Sequence, residues 1–264
     1  MRIATWNLNS VKRRVDHLTR WLAATEPDVL CIQETKCKGE DFPELPGLGY
    51  EVAAIGDGAW NGVAILSRVG LQEVTPQLVE PPTWEGKLEP RAIGATCGGL
   101  RIWSLYIPNG RTPEHEHYQY KLQWLAALAQ TSKVEQRQHA HLALLGDFNV
   151  APSDADVYDR AAFEGSTHVT APERAGLTDL EATGLQEIPP RPLKYDHAFT
   201  FWDYRQLAFP KNRGMRIDLA YATPAVAASV TDAYSDRNAR KGKGTSDHAP
   251  VVIDLDLPQD SALE

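Results

Sequence analysis

The sequence predicts an α/β chain folded as a single domain with two β-rich halves. Short apolar runs of strand length, such as Leu142-Ala143-Leu144-Leu145, recur along the chain and stop at polar residues. Helical periodicities separate several of them. No repeat of fixed period, low-complexity tract or linker divides the halves. A chain of 264 residues can be one large domain or two small ones, so the missing seam favours one domain over 1–264.

Taken in order, Ile3-Ala4-Thr5-Trp6 reads as a strand stopping at Asn7-Leu8-Asn9. Ser10 is placed to cap a helix with the apolar face Val11, Val15, Leu18 and Leu22, leaving Lys12, Arg13, Arg14 and Arg20 on its other faces. Val29-Leu30-Cys31-Ile32-Gln33 is a second strand, closed by Glu34. Lys38 to Tyr50 reads as loop, and Glu51–Ile55 and Gly62–Leu66 as an antiparallel pair. Arg91–Thr96 and Leu100–Ile107, separated by Gly98-Gly99, form a hairpin signature that ends at Pro108-Asn109.

A long helix follows, with Tyr118, Leu122, Leu125 and Ala129 on one face. It leads into the strand ending at Gly146-Asp147-Phe148-Asn149, where alternation directs Asp147 and Asn149 one way and Phe148 the other. Ala155 to Gly184 is irregular, with helical turns expected at 156–162 and 177–182. Pro189–Pro192 is extended loop. Ala198–Trp202 and Arg216–Tyr221 read as strands, and Pro250–Leu255 as the last, entered through Thr245-Ser246-Asp247-His248.

Lys plus Arg number 27 against 35 Asp plus Glu, a net charge of −8, which argues against simple electrostatic coating of DNA. It leaves room for a nucleic-acid enzyme whose acidic residues surround a cation. Cys31, Cys37 and Cys97 are odd in number and have no CxxC spacing, which suits a reducing compartment better than a disulfide scaffold or zinc site. With no signal-type or membrane-length apolar stretch, the expected location is the cytoplasm, without membrane association.

The polar residues closing strands are Asn7, Glu34, Asn109, Asp147 with Asn149, Asp218 and Asp247-His248. Strand ends that share one rim form sites in α/β folds. Oxygen donors without cysteine suit a hard cation such as Mg²⁺. Asp218 interrupts Ile217 and Leu219, and a charge inside a strand calls for a partner. His248 is the natural one, giving an oriented acid/base pair. His115, His117, His139 and His141 lie in polar stretches and are expected at the surface.

TWNLN, IQETK, LYIPNG, GDFNVAP, FTFWDYR, NRGMRIDLAY and TSDHAPV occur in that order. Together they resemble the exonuclease III group of abasic-site endonucleases, within the larger family of metal-dependent endonucleases, exonucleases and phosphatases. The resemblance runs from Arg2 to about Asp256. It implies a four-layer α/β sandwich, two mixed β-sheets face to face and flanked by helices. It also implies a monomeric, Mg²⁺-dependent repair enzyme, with Mn²⁺ as a substitute. Such an enzyme cuts duplex DNA 5′ to abasic sites and acts on 3′ ends as exonuclease and phosphatase. A phosphodiesterase acting on lipid or sugar phosphates is the alternative within the same family.

Carried over by position, the resemblance makes Glu34 the principal metal ligand, within a set completed by Asn7, Asp147, Asn149, Asp247 and His248. Asp147 would orient or deprotonate the attacking water, with Asn149, Tyr106 and Asn109 on the phosphate. His248, paired with Asp218, would stabilise developing charge. Phe201, Met215 and Ile217 would form the pocket for an extruded sugar, though all three also suit strand core. Lys36, Arg91 and Asn212, with Lys38, Lys211, Arg213, Arg240, Lys241 and Lys243, would meet the DNA backbone. The family often has an aromatic residue in place of Met215 and a glycine in place of Pro90. The segment from Gly165 to Pro172, with His168, is expected to set the balance of activities.

Overall fold

Strand β1 (Arg2–Asn7) is buried on both faces in the computed structural model, which describes residues 1–257. The chain continues through α1 (Val11–Thr25), β2 (Val29–Gln33), β3 (Glu51–Ile55), β4 (Val63–Ser67), β5 (Gln72–Thr75), β6 (Ala92–Cys97) and β7 (Leu100–Tyr106). It then forms α2 (Glu116–Glu135), β8 (Leu142–Asp147), α3 (Ala171–Glu181), β9 (Gln186–Glu187), β10 (Arg191–Pro192) and β11 (Asp218–Ala222). Helix α4 (Pro224–Ala228), β12 (Val230–Ser235) and β13 (Val251–Leu255) complete the described residues.

The strands form two mixed sheets, β10-β12-β13-β1-β2-β4-β3 and β5-β6-β7-β8-β11-β9. Period-two alternation builds the layers. Ile3, Val29, Cys31, Ile102, Ala143, Leu145 and Ile253 face inward and form one apolar cluster between the sheets. Outward, Ala4, Trp6, Leu30 and Ile32 pack on Leu18, Trp21 and Leu22 of α1, and each leucine or isoleucine among them contributes about 1.5–3 kcal/mol when buried. On the far side Trp103, Leu142, Leu144 and Tyr221 pack on Trp124, Leu125 and Leu128 of α2 and Leu177 and Leu180 of α3. The result is the expected four-layer sandwich.

Several elements differ from expectation. Ser10 stands at the start of α1 with φ 91° and makes no side-chain cap; its amide instead donates to the Glu34 carbonyl at 2.7 Å. Arg14 is buried, donating to the Asn9 carbonyl and, at 2.9 Å, to the Tyr204 hydroxyl. In α2 the buried face runs through Tyr120, Lys121, Trp124 and Leu128 as well as Tyr118, Leu125 and Ala129, while Leu122 is only half-buried. His117 is buried rather than exposed, and His115, His139 and His141 are half-buried. Ala198–Trp202 is not a strand, because only Phe201 bridges Met215 and His248 there. The irregular segment contains α3, which Thr170 caps with Glu173 in a reciprocal capping box. Strand β12 and helix α4 are additional to the elements the sequence predicts. Residues 258–264 of the expected domain lie outside the described residues.

Candidate active site

Following the inward-facing positions along each strand locates the site. They run Ile3, Thr5, Asn7 in β1 and Val29, Cys31, Gln33 in β2. In β7 they run Ile102, Ser104, Tyr106; in β8 Ala143, Leu145, Asp147; and in β11, followed backwards, Ala222, Ala220, Asp218. Every series starts apolar and ends polar. Register aligns the ends, since Asn7 pairs with Gln33, Tyr106 with Asp147, and Asp147 with Asp218. One end of the space between the sheets is therefore lined by polar groups. A buried layer in which Thr5 donates to Gln33 (3.1 Å) and Gln33 to Ser104 (3.0 Å) separates it from the apolar core.

Asn7 ties the two sheets together there, its Nδ2 donating to Glu34 Oε1 and to Asp147 Oδ2, both at 2.9 Å. The turn leading to β13 is fastened to the same corner. Ser246 Oγ donates to the Asn7 carbonyl (2.6 Å), the His248 amide to Ser246 Oγ (3.2 Å), and Trp6 Nε1 to the His248 carbonyl (3.1 Å). His248 Nδ1 thereby donates to Asp218 Oδ2 at 2.8 Å, while Nε2 stands 3.8 Å from Asp147 Oδ2. Gly146 is required just before Asp147, since a Cβ there would collide with the Leu105 carbonyl across the β7–β8 pair.

Asn149 reaches the site by a route that strand alternation does not describe. It lies beyond β8 with φ 52°, its amide donating to Asp147 Oδ1 at 2.9 Å in an Asx turn. Its Nδ2 donates to the Ile107 carbonyl (2.9 Å) and its Oδ1 accepts from Asn109 Nδ2 (3.2 Å). Phe148 packs behind, against Tyr221.

Burial pushes Asp147 up to about 7, with Asp218 and Glu34 adding to the rise. Burial opposes a charged His248, yet the carboxylates of Asp218 and Asp147 outweigh it and raise the imidazole to about 10. Burial likewise opposes ionisation of Glu34, but Lys36 and Asn7 hold it below its ordinary value. Burial and the Glu34 charge keep the Tyr106 phenol well above its usual range, hence protonated. The constellation therefore offers a proton acceptor poised near neutrality beside a fixed cation.

Donor atoms of Glu34, Asp147 and His248 lie within 4.8 Å of one another. Carboxylate oxygens dominate this corner, and Lys36 Nζ already sits 2.7 Å from Glu34 Oε2 as a cationic stand-in. That chemistry fits a hard divalent ion held by Glu34 and Asp147 with the Asn7 carboxamide adjacent. Asp247 is on the same rim, reached from Glu34 through Lys36 and Asn9: Lys36 Nζ donates to Asn9 Oδ1 (2.6 Å) and Asn9 Nδ2 to Asp247 Oδ1 (3.0 Å). Asn9 stands in the TWNLN motif, yet its role is visible only when the loops meet.

Phe201 and Met215 line an adjoining cleft of about 530 Å³ with Tyr158, Phe163, His168 and Arg213. Ile217 does not; it is 2% exposed and packs behind Met215 as core. Arg91 is also displaced from its expected place, since its guanidinium is buried, pairs with Glu89 at 2.6 Å and stacks 4.7 Å from the Tyr106 ring centroid. Arg240 is buried as well, donating to Thr245 Oγ1. Asn212 accepts from Trp202 Nε1 (3.3 Å).

Residues 4–248 match the Endonuclease/Exonuclease/phosphatase family. Exodeoxyribonuclease III of Haemophilus influenzae is 30% identical over 268 residues, covering 95% of this chain and 98% of that protein. Among solved structures, the 3′ phosphatase NExo from Neisseria bound to a product DNA hairpin is 36% identical with a TM-score of 0.91, covering 97% of this chain and 99% of that one. An AP endonuclease from Archaeoglobus fulgidus is 32% identical with a TM-score of 0.88, covering 97% of this chain and all of the other.

Proposed function

This chain belongs to the endonuclease/exonuclease/phosphatase family, and from that premise we propose that it is a metal-dependent DNA-repair phosphodiesterase. It cuts beside abasic sites and removes nucleotides or phosphate from 3′ ends, as a single catalytic domain. The observation that carries this reading is the buried Asp147–His248–Asp218 series set against Glu34 and Asn7.

Hydrolysis of a phosphoester needs an aligned water, a sink for its proton, and compensation of charge growing on the phosphoryl oxygens. Asp147, raised toward neutrality by burial, orients that water and accepts the proton. Asp218 holds His248 by Nδ1, so that Nε2–H points toward Asp147 and the charge of the imidazolium compensates the phosphoryl oxygens. Asn109 and Asn149, linked to each other, supply hydrogen bonds to the phosphate, and protonated Tyr106 supplies another. Magnesium held by Glu34, Asp147 and their neighbours would add Lewis-acid stabilisation of the same oxygens. The buried free thiols of Cys31, Cys37 and Cys97 support action in a reducing compartment, the cytoplasm.

The test is incubation with Mg²⁺ and an end-labelled duplex carrying one abasic analogue, a matched duplex ending in a 3′ phosphate, and an inositol phosphate. Release of labelled DNA product or of phosphate from the 3′ end is expected. Hydrolysis of the inositol phosphate with both DNA substrates untouched would overturn the assignment.

A further inference from the structure

A second buried polar centre lies beneath the site. Lys121 of α2 is completely buried, as is Glu173 in the first turn of α3, and the two form an ion pair. Removing two charges from water is costly, and an apolar pair of similar volume commonly serves stability as well or better. What these charges hold accounts for them.

Lys121 Nζ donates to the backbone carbonyls of Asn149 (2.6 Å) and Asn109 (3.2 Å), the two residues whose carboxamides are joined at the phosphate position. Glu173 grips the facing segment with both carboxylate oxygens. Its Oε1 accepts from the His168 amide (2.9 Å) and Thr167 Oγ1 (3.0 Å), and Oε2 accepts from the Thr170 amide (3.0 Å) and hydroxyl (2.6 Å). The single Thr167 hydroxyl hydrogen lies between that carboxylate and the Asn109 carbonyl, the shorter contact at 2.7 Å, and His168 Nδ1 lies 2.5 Å from the Asn149 carbonyl. Three separate segments, after β7, after β8 and before α3, thus converge on one ammonium–carboxylate pair.

We propose that Lys121 and Glu173 are positioning residues, fixing the backbones of Asn109 and Asn149 so that both carboxamides meet the scissile phosphate together. This rests on the assignment of those asparagines to the phosphate given above. The pair touches neither substrate nor the reacting atoms. Its loss acts through the angle and spacing of the two asparagines, and displacement of about 1 Å in a positioning group costs roughly a hundredfold in rate.

The decisive variant is Lys121→Met/Glu173→Met, which removes both charges at once and keeps the volume filled. Its melting temperature, its affinity for a 3′-phosphate duplex in EDTA and its single-turnover rate with Mg²⁺ are compared with wild type. A melting temperature lowered by the lost α3 cap and the unpaired carbonyls, yet well above the assay temperature, with affinity near wild type and a rate reduced roughly 10- to 100-fold is the expected result. A folded double variant with the wild-type rate, or one whose rate falls only in step with affinity, would overturn the proposal. Should the double variant fail to fold, Thr167→Val, which removes one donor from the Asn109 carbonyl, decides the matter: a reduced rate at unchanged affinity supports positioning, and a wild-type rate overturns it. Wild-type protein inactive on every DNA substrate would instead sink the functional assignment, and this proposal with it.

Discussion

Asp147 and Asp218 are direct cross-strand partners on adjacent antiparallel strands, with both side chains on the inward face. Two like charges opposite each other destabilise a strand pair. His248, 2.8 Å from one carboxylate and 3.8 Å from the other, supplies the charge between them. Asp147→Asn removes the proton acceptor and half of the repulsion together. Single-turnover hydrolysis should fall by about 10²- to 10⁴-fold, the range for loss of a general base. The melting temperature should stay level or rise. A folded Asp147→Asn protein at the wild-type rate refutes the role.

The same trio makes stability depend on pH in metal-free buffer. His248 is raised from 6.5 to about 10, so its favourable interaction is full below pH 6.5 and is lost as pH rises toward 10. Asp218→Asn should therefore lower the melting temperature most near pH 6. The gap to wild type should narrow progressively toward pH 10. Thermal melts in EDTA across that window check this, and a gap that widens with pH contradicts it.

A buried imidazole elsewhere has the opposite sign. Burial, followed by the charges of Arg91 and Arg111, lowers His117 to about 4. The unfolded chain takes up this proton near 6.5 and the folded one only near 4, so stability is lost as pH falls between those values. His117 Nδ1 also accepts from the Gly110 amide at 3.2 Å, which His117→Gln can reproduce. Wild type should therefore lose more of its melting temperature than His117→Gln between pH 7 and pH 4.

Metal binding should be measurable without turnover. A ligand that binds only the folded state at about a hundred times its Kd stabilises by about 2.7 kcal/mol. Mg²⁺ should accordingly raise the melting temperature of wild type, and EDTA should abolish hydrolysis. Glu34→Gln should shrink the Mg²⁺-induced shift. An undiminished shift in that variant places the ion elsewhere.

Much of the site was legible because the inward series of five strands change from apolar to polar at one level. Asp147 and Asp218 announce themselves as charges closing or interrupting apolar runs. Asn149 was legible as a residue but not in its conformation, since a left-handed turn rather than alternation aims it. The burial of Arg14 and His117 departs from expectation for a reason that applies to Lys121 as well. A charged or polar side chain on a helix is expected to face water, and only partners distant in sequence, such as Tyr204 for Arg14 and Glu173 for Lys121, make its burial tolerable. Helix α3 did carry its signal, the Thr170-Ala171-Pro172-Glu173 capping pattern, although the polar stretch around it hid the start. Ala198–Trp202 has the composition of a strand, but its hydrogen bonds go to isolated partners instead of a ladder.

The central position of β1 has a consequence for how the protein is made. Its two neighbours are β2, which follows soon after it, and β13, which leaves the ribosome last among the described strands. Until β13 emerges, one edge of β1 stays open to pairing with other chains, and the imidazole entering on the turn before β13 is missing from the site. A nascent chain is thus both adhesive and unable to cut nucleic acid, and the same closing event ends both conditions.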